Sequence, residues 1–151
     1  MFTPIVSYTD LYSRLYSEVI GEITREETAL MDRAITAGLQ EVKGYLIKFD
    51  LTALFGDGTN NATVTDIWLN NICVDICAWN LIKLGNPSVK FEAVRLTYES
   101  ACATLKKIQQ GYIMPVDSSN NPWPYRNTIG ETAPQGDSVY VRSNYKRRNS
   151  Y

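Results

Sequence analysis

Four stretches of the chain repeat apolar residues at helical spacing, and the segments between them are rich in turn formers. The first runs through Leu11, Leu15 and Val19, with Tyr12 and Tyr16 alongside, from an expected N-cap at Thr9 to an interruption at Gly21. Thr24 followed by Glu27 fits a capping box, in which each side chain satisfies an orphan backbone N–H, so a second helix is expected to begin there. Met31, Ile35, Gly38, Val42, Tyr45 and Phe49 then recur at spacings of three and four, with Glu27, Asp32, Glu41, Lys43 and Lys48 mostly off that stripe. The pattern predicts an amphipathic helix of about six turns. A glycine inside a helix costs roughly 1 kcal/mol relative to alanine, so Gly38 points to a close helix crossing.

Residues 50–64, with Gly56-Asp57-Gly58-Thr59-Asn60-Asn61 at their centre, read as a long loop. Thr63 or Thr65 is expected to cap the third helix, whose apolar residues do not keep to one side. Ile67, Val74 and Leu81 fall on one face and Leu69, Ile72, Ile76 and Trp79 on another, divided by Asp66 and Asn70 on one line and Asn71 and Asp75 on the other. Two apolar faces need two sets of neighbours, so this helix is either central in the bundle or partly covered by another subunit. Gly85-Asn86-Pro87-Ser88 separates it from a fourth helix bearing Phe91, Val94, Tyr98, Ala101, Leu105 and Ile108 on one stripe, closed by Gly111.

The expected fold class is therefore all-α: a small bundle of about four helices with a long loop after the second, occupying residues 1–114. Residues 115–151 read as an extended, irregular C-terminal arm, because a composition of Pro, Ser, Asn, Gly, Thr and Gln cannot build a core of its own. Aromatic residues punctuate it, and Ser138 to Arg142 alternates like a short strand. Trp123, Tyr125, Tyr140 and Tyr145 are the expected anchors on a neighbouring chain, and removal of residues after Met114 is expected to leave a folded body that no longer assembles.

The net charge of -1 gives the whole molecule no electrostatic pull toward nucleic acid or an anionic membrane. Its distribution is uneven, since the last ten residues carry Arg142, Lys146, Arg147 and Arg148 and no carboxylate side chain. No histidine is present, which removes the commonest general base and the commonest zinc ligand. Cys73 and Cys77 lie one helical turn apart but have only Cys102 as a third thiol, so they read as small core residues made in a reducing compartment. The Gly56–Asn61 segment lacks the alternating carboxylates and closing glutamate of a calcium loop and reads as a solvated turn. Asn71 and Asp75 are expected to be exposed or paired with a cation. The opening residues have no basic segment followed by an apolar run, and polar residues interrupt the third helix, so neither a signal peptide nor a membrane span is expected. No catalytic constellation, cofactor site or metal site is expected.

The order of features resembles the head-to-tail connector (adaptor) proteins of tailed bacteriophages, especially the Mu-like prophage neck branch. The resemblance rests on Tyr8-Thr9-Asp10-Leu11, Ile23-Thr24, Met31-Asp32-Arg33-Ala34-Ile35, Glu41-Val42 and Tyr45-Leu46. It continues through Asp75-Ile76-Cys77-Ala78-Trp79, Tyr98-Glu99-Ser100-Ala101, Leu105 and Ile108-Gln109-Gln110-Gly111. The family's Tyr-x-Leu-Pro after the second helix is here Phe49-Asp50-Leu51-Thr52. The resemblance implies a non-enzymatic virion protein of the neck, made in the host cytoplasm. It also implies a homo-oligomeric ring, commonly of twelve copies, that docks beneath the portal protein, receives downstream neck or tail proteins, and passes DNA through its lumen without reading sequence. The rival expectation is a nucleic-acid-binding helical module that uses Arg142, Lys146, Arg147 and Arg148, with affinity falling steeply in salt.

Overall fold

Side-chain caps start three of the six helices among the residues that the computed structural model describes, 1–25, 27–85 and 91–126. Helix α1 (Tyr8–Tyr12) is capped by Ser7, not Thr9: the Asp10 carboxylate accepts the Ser7 backbone N–H at 2.7 Å and the Ser7 hydroxyl accepts the Asp10 N–H, a complete capping box. The Ser13 hydroxyl bonds back to the Asp10 carbonyl and the chain breaks, so the single predicted first helix is two. Its second half is α2 (Ser17–Thr24), and Gly21 lies inside it. Thr24 is buried at the end of α2 and donates to the Ile20 carbonyl at 2.8 Å, so it does not form the expected capping box with Glu27. Arg25, in the left-handed region at φ 52°, ends α2.

Helix α3 (Thr28–Tyr45) buries Met31, Gly38 and Val42 of the predicted stripe and also Ala34, while Ile35 and Tyr45 are partly buried. The Asp50 carboxylate then accepts the N–H groups of Thr52 and Ala53, both at 3.1 Å, and starts a short helix α4 (Leu51–Phe55) inside the predicted loop. Leu54 and Phe55 are buried there, so this part of the loop contributes to the core. Helix α5 (Ile67–Gly85) is capped by Asp66, whose Oδ1 accepts from the N–H of Trp68 at 2.9 Å and of Leu69 at 3.3 Å; neither Thr63 nor Thr65 serves. Helix α6 (Glu92–Gln109) follows its predicted stripe, and Gly111 leaves it at φ 85°.

The fold is all-α, with six helices among the described residues and only isolated bridges, Phe49 with Tyr125 and Val116 with Pro122. Helix α5 is the central element. It packs on α3 and α6, and α1 and α2 also touch it, so its two apolar faces are covered within the chain except at its ends, where Ile67, Trp68 and Leu84 are exposed. Leu69, Ile72, Cys73, Val74, Ile76, Cys77, Ala78, Leu81 and Ile82 are all buried. The expected close crossing is real: a Cβ on Gly38 would lie 2.7 Å from the Cys77 sulfur and 2.9 Å from its Cα, so only glycine lets α3 and α5 approach this closely. At the ends, Gly85 meets Ile23, while Trp123 links the start of α5 to Phe49 just beyond α3; α3 and α5 therefore run antiparallel. Helix α6 runs back along α5, its C-terminus beside that of α3, where the Lys48 ammonium donates to the carbonyls of Ile108 at 2.7 Å and Gln109 at 3.2 Å.

The boundary expected at residue 114 does not hold for the described part of the arm. Residues 115–126 form a strap across the end of the bundle: the N–H of Ser118 donates to the Thr65 carbonyl, that of Asp50 to Pro124, and that of Arg126 to Lys48. A tight turn at Asp117–Asn120 reverses the strap, with the Asp117 carboxylate accepting the N–H groups of Ser119 and Asn121. Among the described residues, no helix is long and apolar enough to cross a membrane.

Candidate assembly surface

Of the eight anchor and basic residues named from the sequence, the structure describes two, and they lie side by side. Trp123 is 2% exposed, and its ring meets Phe49 edge-on at 5.5 Å and Trp68 at 6.3 Å. Its indole N–H donates to Asp66 Oδ2 at 2.7 Å. That carboxylate therefore caps α5 through one oxygen and holds the strap through the other. Trp123 is thus an anchor of the chain on itself, and the expectation that it inserts into a neighbour is corrected: a ring already surrounded by its own core has no free face to offer. The same packing makes removal of everything after Met114 a loss of core. Tyr125 differs, stacked on Phe49 at 5.2 Å yet half exposed. Tyr140, Arg142, Tyr145, Lys146, Arg147 and Arg148 lie outside the described residues.

Around Tyr125 the strap end of the bundle exposes a set of apolar side chains of which the sequence pattern places only Ile67 on an apolar face. Ile47, Ile67, Trp68, Tyr112, Met114 and Val116 are all at least 40% exposed, and all sit at the C-terminal ends of α3 and α6, the first turn of α5 or the strap. Each lies at a helix end or off a stripe, where periodicity gives no warning. A sequence signal was present nonetheless, in that Ile67-Trp68 and Tyr112-Ile113-Met114 place large apolar residues directly at helix boundaries. Large apolar side chains exposed together at one end of a bundle are candidates for contact with another macromolecule.

The remaining polar groups are engaged in structure. Asp75 is paired with Arg14, whose Nε lies 2.5 Å from its Oδ1, and Asn71 accepts from the same guanidinium at 3.4 Å. Tyr8 donates to Asp32, which raises the Tyr8 pKa. At the junction of α3, α5 and α6 the Glu41 carboxylate accepts from the Tyr98 hydroxyl at 2.7 Å and the Asn80 amide at 3.5 Å, while Trp79 stacks on Tyr98 at 5.8 Å. The hydrogen bond to Glu41, followed by burial, raises the Tyr98 pKa. Burial pushes the Cys77 thiol up to about 12 and Cys73 well above its ordinary value, which keeps both protonated and unreactive at neutral pH. Asp57 accepts from the N–H groups of Thr59 at 2.9 Å and Asn60 at 2.6 Å and from the Asn60 amide, a self-contained turn. Among the described residues, no three histidine, cysteine or carboxylate side chains converge as a metal site would require.

No protein-family model matches the chain, and no curated protein matches it.

Proposed function

We propose that the protein is a structural subunit of a phage head-to-tail connector ring, acting by shape and burial between the portal above and the neck or tail proteins below. The observation that carries this reading is the exposed apolar end formed by Ile47, Ile67, Trp68, Tyr112, Met114 and Tyr125 on a bundle whose central helix, beyond its first turn, is packed against its own chain. Large apolar side chains gathered at one end suit a subunit that meets its neighbours there, while Tyr16, Leu84 and Leu96 are exposed elsewhere on the bundle. The residues behind the connector resemblance also meet one another in space: Tyr8 bonds to Asp32, Glu41 to Tyr98, and Tyr98 stacks on Trp79. A heterologous contact repeated with a closing rotation gives a ring.

Electron microscopy of the full chain, alone and mixed with portal rings, tests the reading. The expected result is closed rings that dock on the portal. Replacing Ile47, Tyr112 and Met114 by aspartate is expected to abolish rings while leaving circular dichroism and the unfolding midpoint near wild type, because all three side chains are exposed. Rings that form unchanged in the triple variant would refute the role given to this end.

A further inference from the structure

The first four residues are held to the bundle at few points. The Thr3 N–H donates to Asn61 Oδ1 at 2.6 Å, and among the described residues no backbone–backbone hydrogen bond fastens residues 1–4. Phe2 supplies the apolar anchor, partly buried against Gly56: a Cβ on that glycine would lie 2.8 Å from the Phe2 ring, so the ring rests on bare backbone. Met1, Thr3 and Pro4 are exposed. The residues that follow are fixed differently. The Ile5 carbonyl accepts from the Asn70 amide, Val6 is 1% exposed, and Ser7 belongs to the capping box of α1. A loosely held stretch therefore joins a firmly held one between Pro4 and Ile5.

Two clefts, of about 510 and 430 Å³, meet under this stretch, and Pro4 and Thr36 line both. The first is bordered by Tyr8, Asp32 and Ile35, the second by Leu39, Lys43 and Phe55. Asp32, Ile35, Thr36, Leu39 and Lys43 follow one another at helical spacing along one face of α3, roughly 16 Å from end to end. We infer that Met1–Pro4 form a lid that swings on the fixed Ile5–Val6 hinge and, when open, joins the two clefts into one groove along α3. The inference is independent of the ring reading.

Opening breaks one hydrogen bond and uncovers part of one ring, whereas releasing Val6 would also empty a place in the core. A segment with so few contacts opens at a free energy far below that of global unfolding. Two features distinguish a lid from a frayed end. Its closed position is specified: Gly56, at φ 78°, and Asn61 bracket a turn that Asp57 closes by accepting from the N–H groups of Thr59 and Asn60. The surface beneath it is apolar, with Ile35 and Leu39 packed on the core yet only partly buried. Each cleft also has the volume of a small-molecule pocket, so the lid governs access to a space of useful size.

Native-state hydrogen exchange of the full chain reads the lid through the Thr3 amide. Its exchange is expected to be slower than in an unstructured peptide, far faster than that of the buried Val42 in α3, and insensitive to low denaturant. Phe2→Ala and Asn61→Ala should each speed it about tenfold while the Val6 methyl signals keep their positions. Both variants should bind the dye anilinonaphthalene sulfonate more strongly than wild type, with helical circular dichroism unchanged. Adding Thr36→Phe, which puts a ring where the two clefts meet, should remove that gain. A wild-type Thr3 amide that exchanges as in an unstructured peptide, or only with global unfolding, would overturn the inference whether or not the variants fold. A dye gain that survives Thr36→Phe would overturn it by placing the dye elsewhere, and displaced Val6 signals would overturn it by removing the hinge.

Discussion

Helix α5 and the strap at residues 115–126 both bury large apolar side chains, but by different means. Helix α5 is held by residues that repeat along a regular element, covered on both faces by α3 and α6. The strap has no repeat. It is held by one tryptophan, one carboxylate and a few backbone hydrogen bonds to positions 53 to 78 residues earlier. The lesson is that core membership here depends on long-range partners as much as on local pattern, and a segment of turn-forming composition becomes structural once a single ring finds a slot.

Substitutions at the two places can break this comparison. The largest effect is expected for Trp123→Ala, which removes a buried ring and leaves Asp66 without its indole partner; a loss of about 3–5 kcal/mol in denaturant unfolding is predicted. A loss under about 1 kcal/mol would show that the strap is an appendage. Asp66→Ala comes next, at about 2 kcal/mol, because it removes the cap of α5 and orphans the indole N–H together. Asp66→Asn keeps one acceptor for the cap but turns an amide NH2 toward the indole N–H, so it should recover only the share of the cap, about 1 kcal/mol.

At the helix crossing, Gly38→Ala gains about 1 kcal/mol of helix propensity but pushes a methyl group against the sulfur and backbone of Cys77. Overpacking of 1–3 kcal/mol outweighs the gain, so a net loss of about 1 kcal/mol is predicted by the same unfolding measurement. The smallest effect belongs to Asp57, outside both regions. Backbone and side-chain hydrogen bonds from Asn60, then Thr59, hold its carboxyl at about 2, below the ordinary 3.8. A depressed pKa in the folded state means that the contribution of this turn is present above pH 3.8 and fades as pH falls toward 2. Carboxyl-carbon NMR titration of Asp57 should find that midpoint, and a midpoint near 4 would show that the turn does not form.

How much of this was legible in the sequence follows from the same contrast. The stripe of α6, most of that of α3 and the crossing at Gly38 were readable because spacing and residue chemistry determine them, whereas for Asp75 the sequence left exposure and a cation partner both open and the fold supplies Arg14. The helix starts were less readable, since Ser7, Asp50 and Asp66 cap where threonines nearby had equal claim by residue type. The role of Trp123 was misread for a physical reason: nothing local distinguishes an aromatic residue that folds back onto Phe49 and Asp66 from one that reaches a neighbour. Apart from Tyr125 and Ile67, the exposed end was missed because its members sit at helix boundaries or in the strap, where no period applies.

The most direct test of the assembly reading is the mass of the full-length protein in solution, measured by sedimentation from micromolar to millimolar concentration. A single large closed species, lost when Ile47, Tyr112 and Met114 become aspartate, is the predicted result. A strictly monomeric chain across that range, with or without portal present, would contradict it.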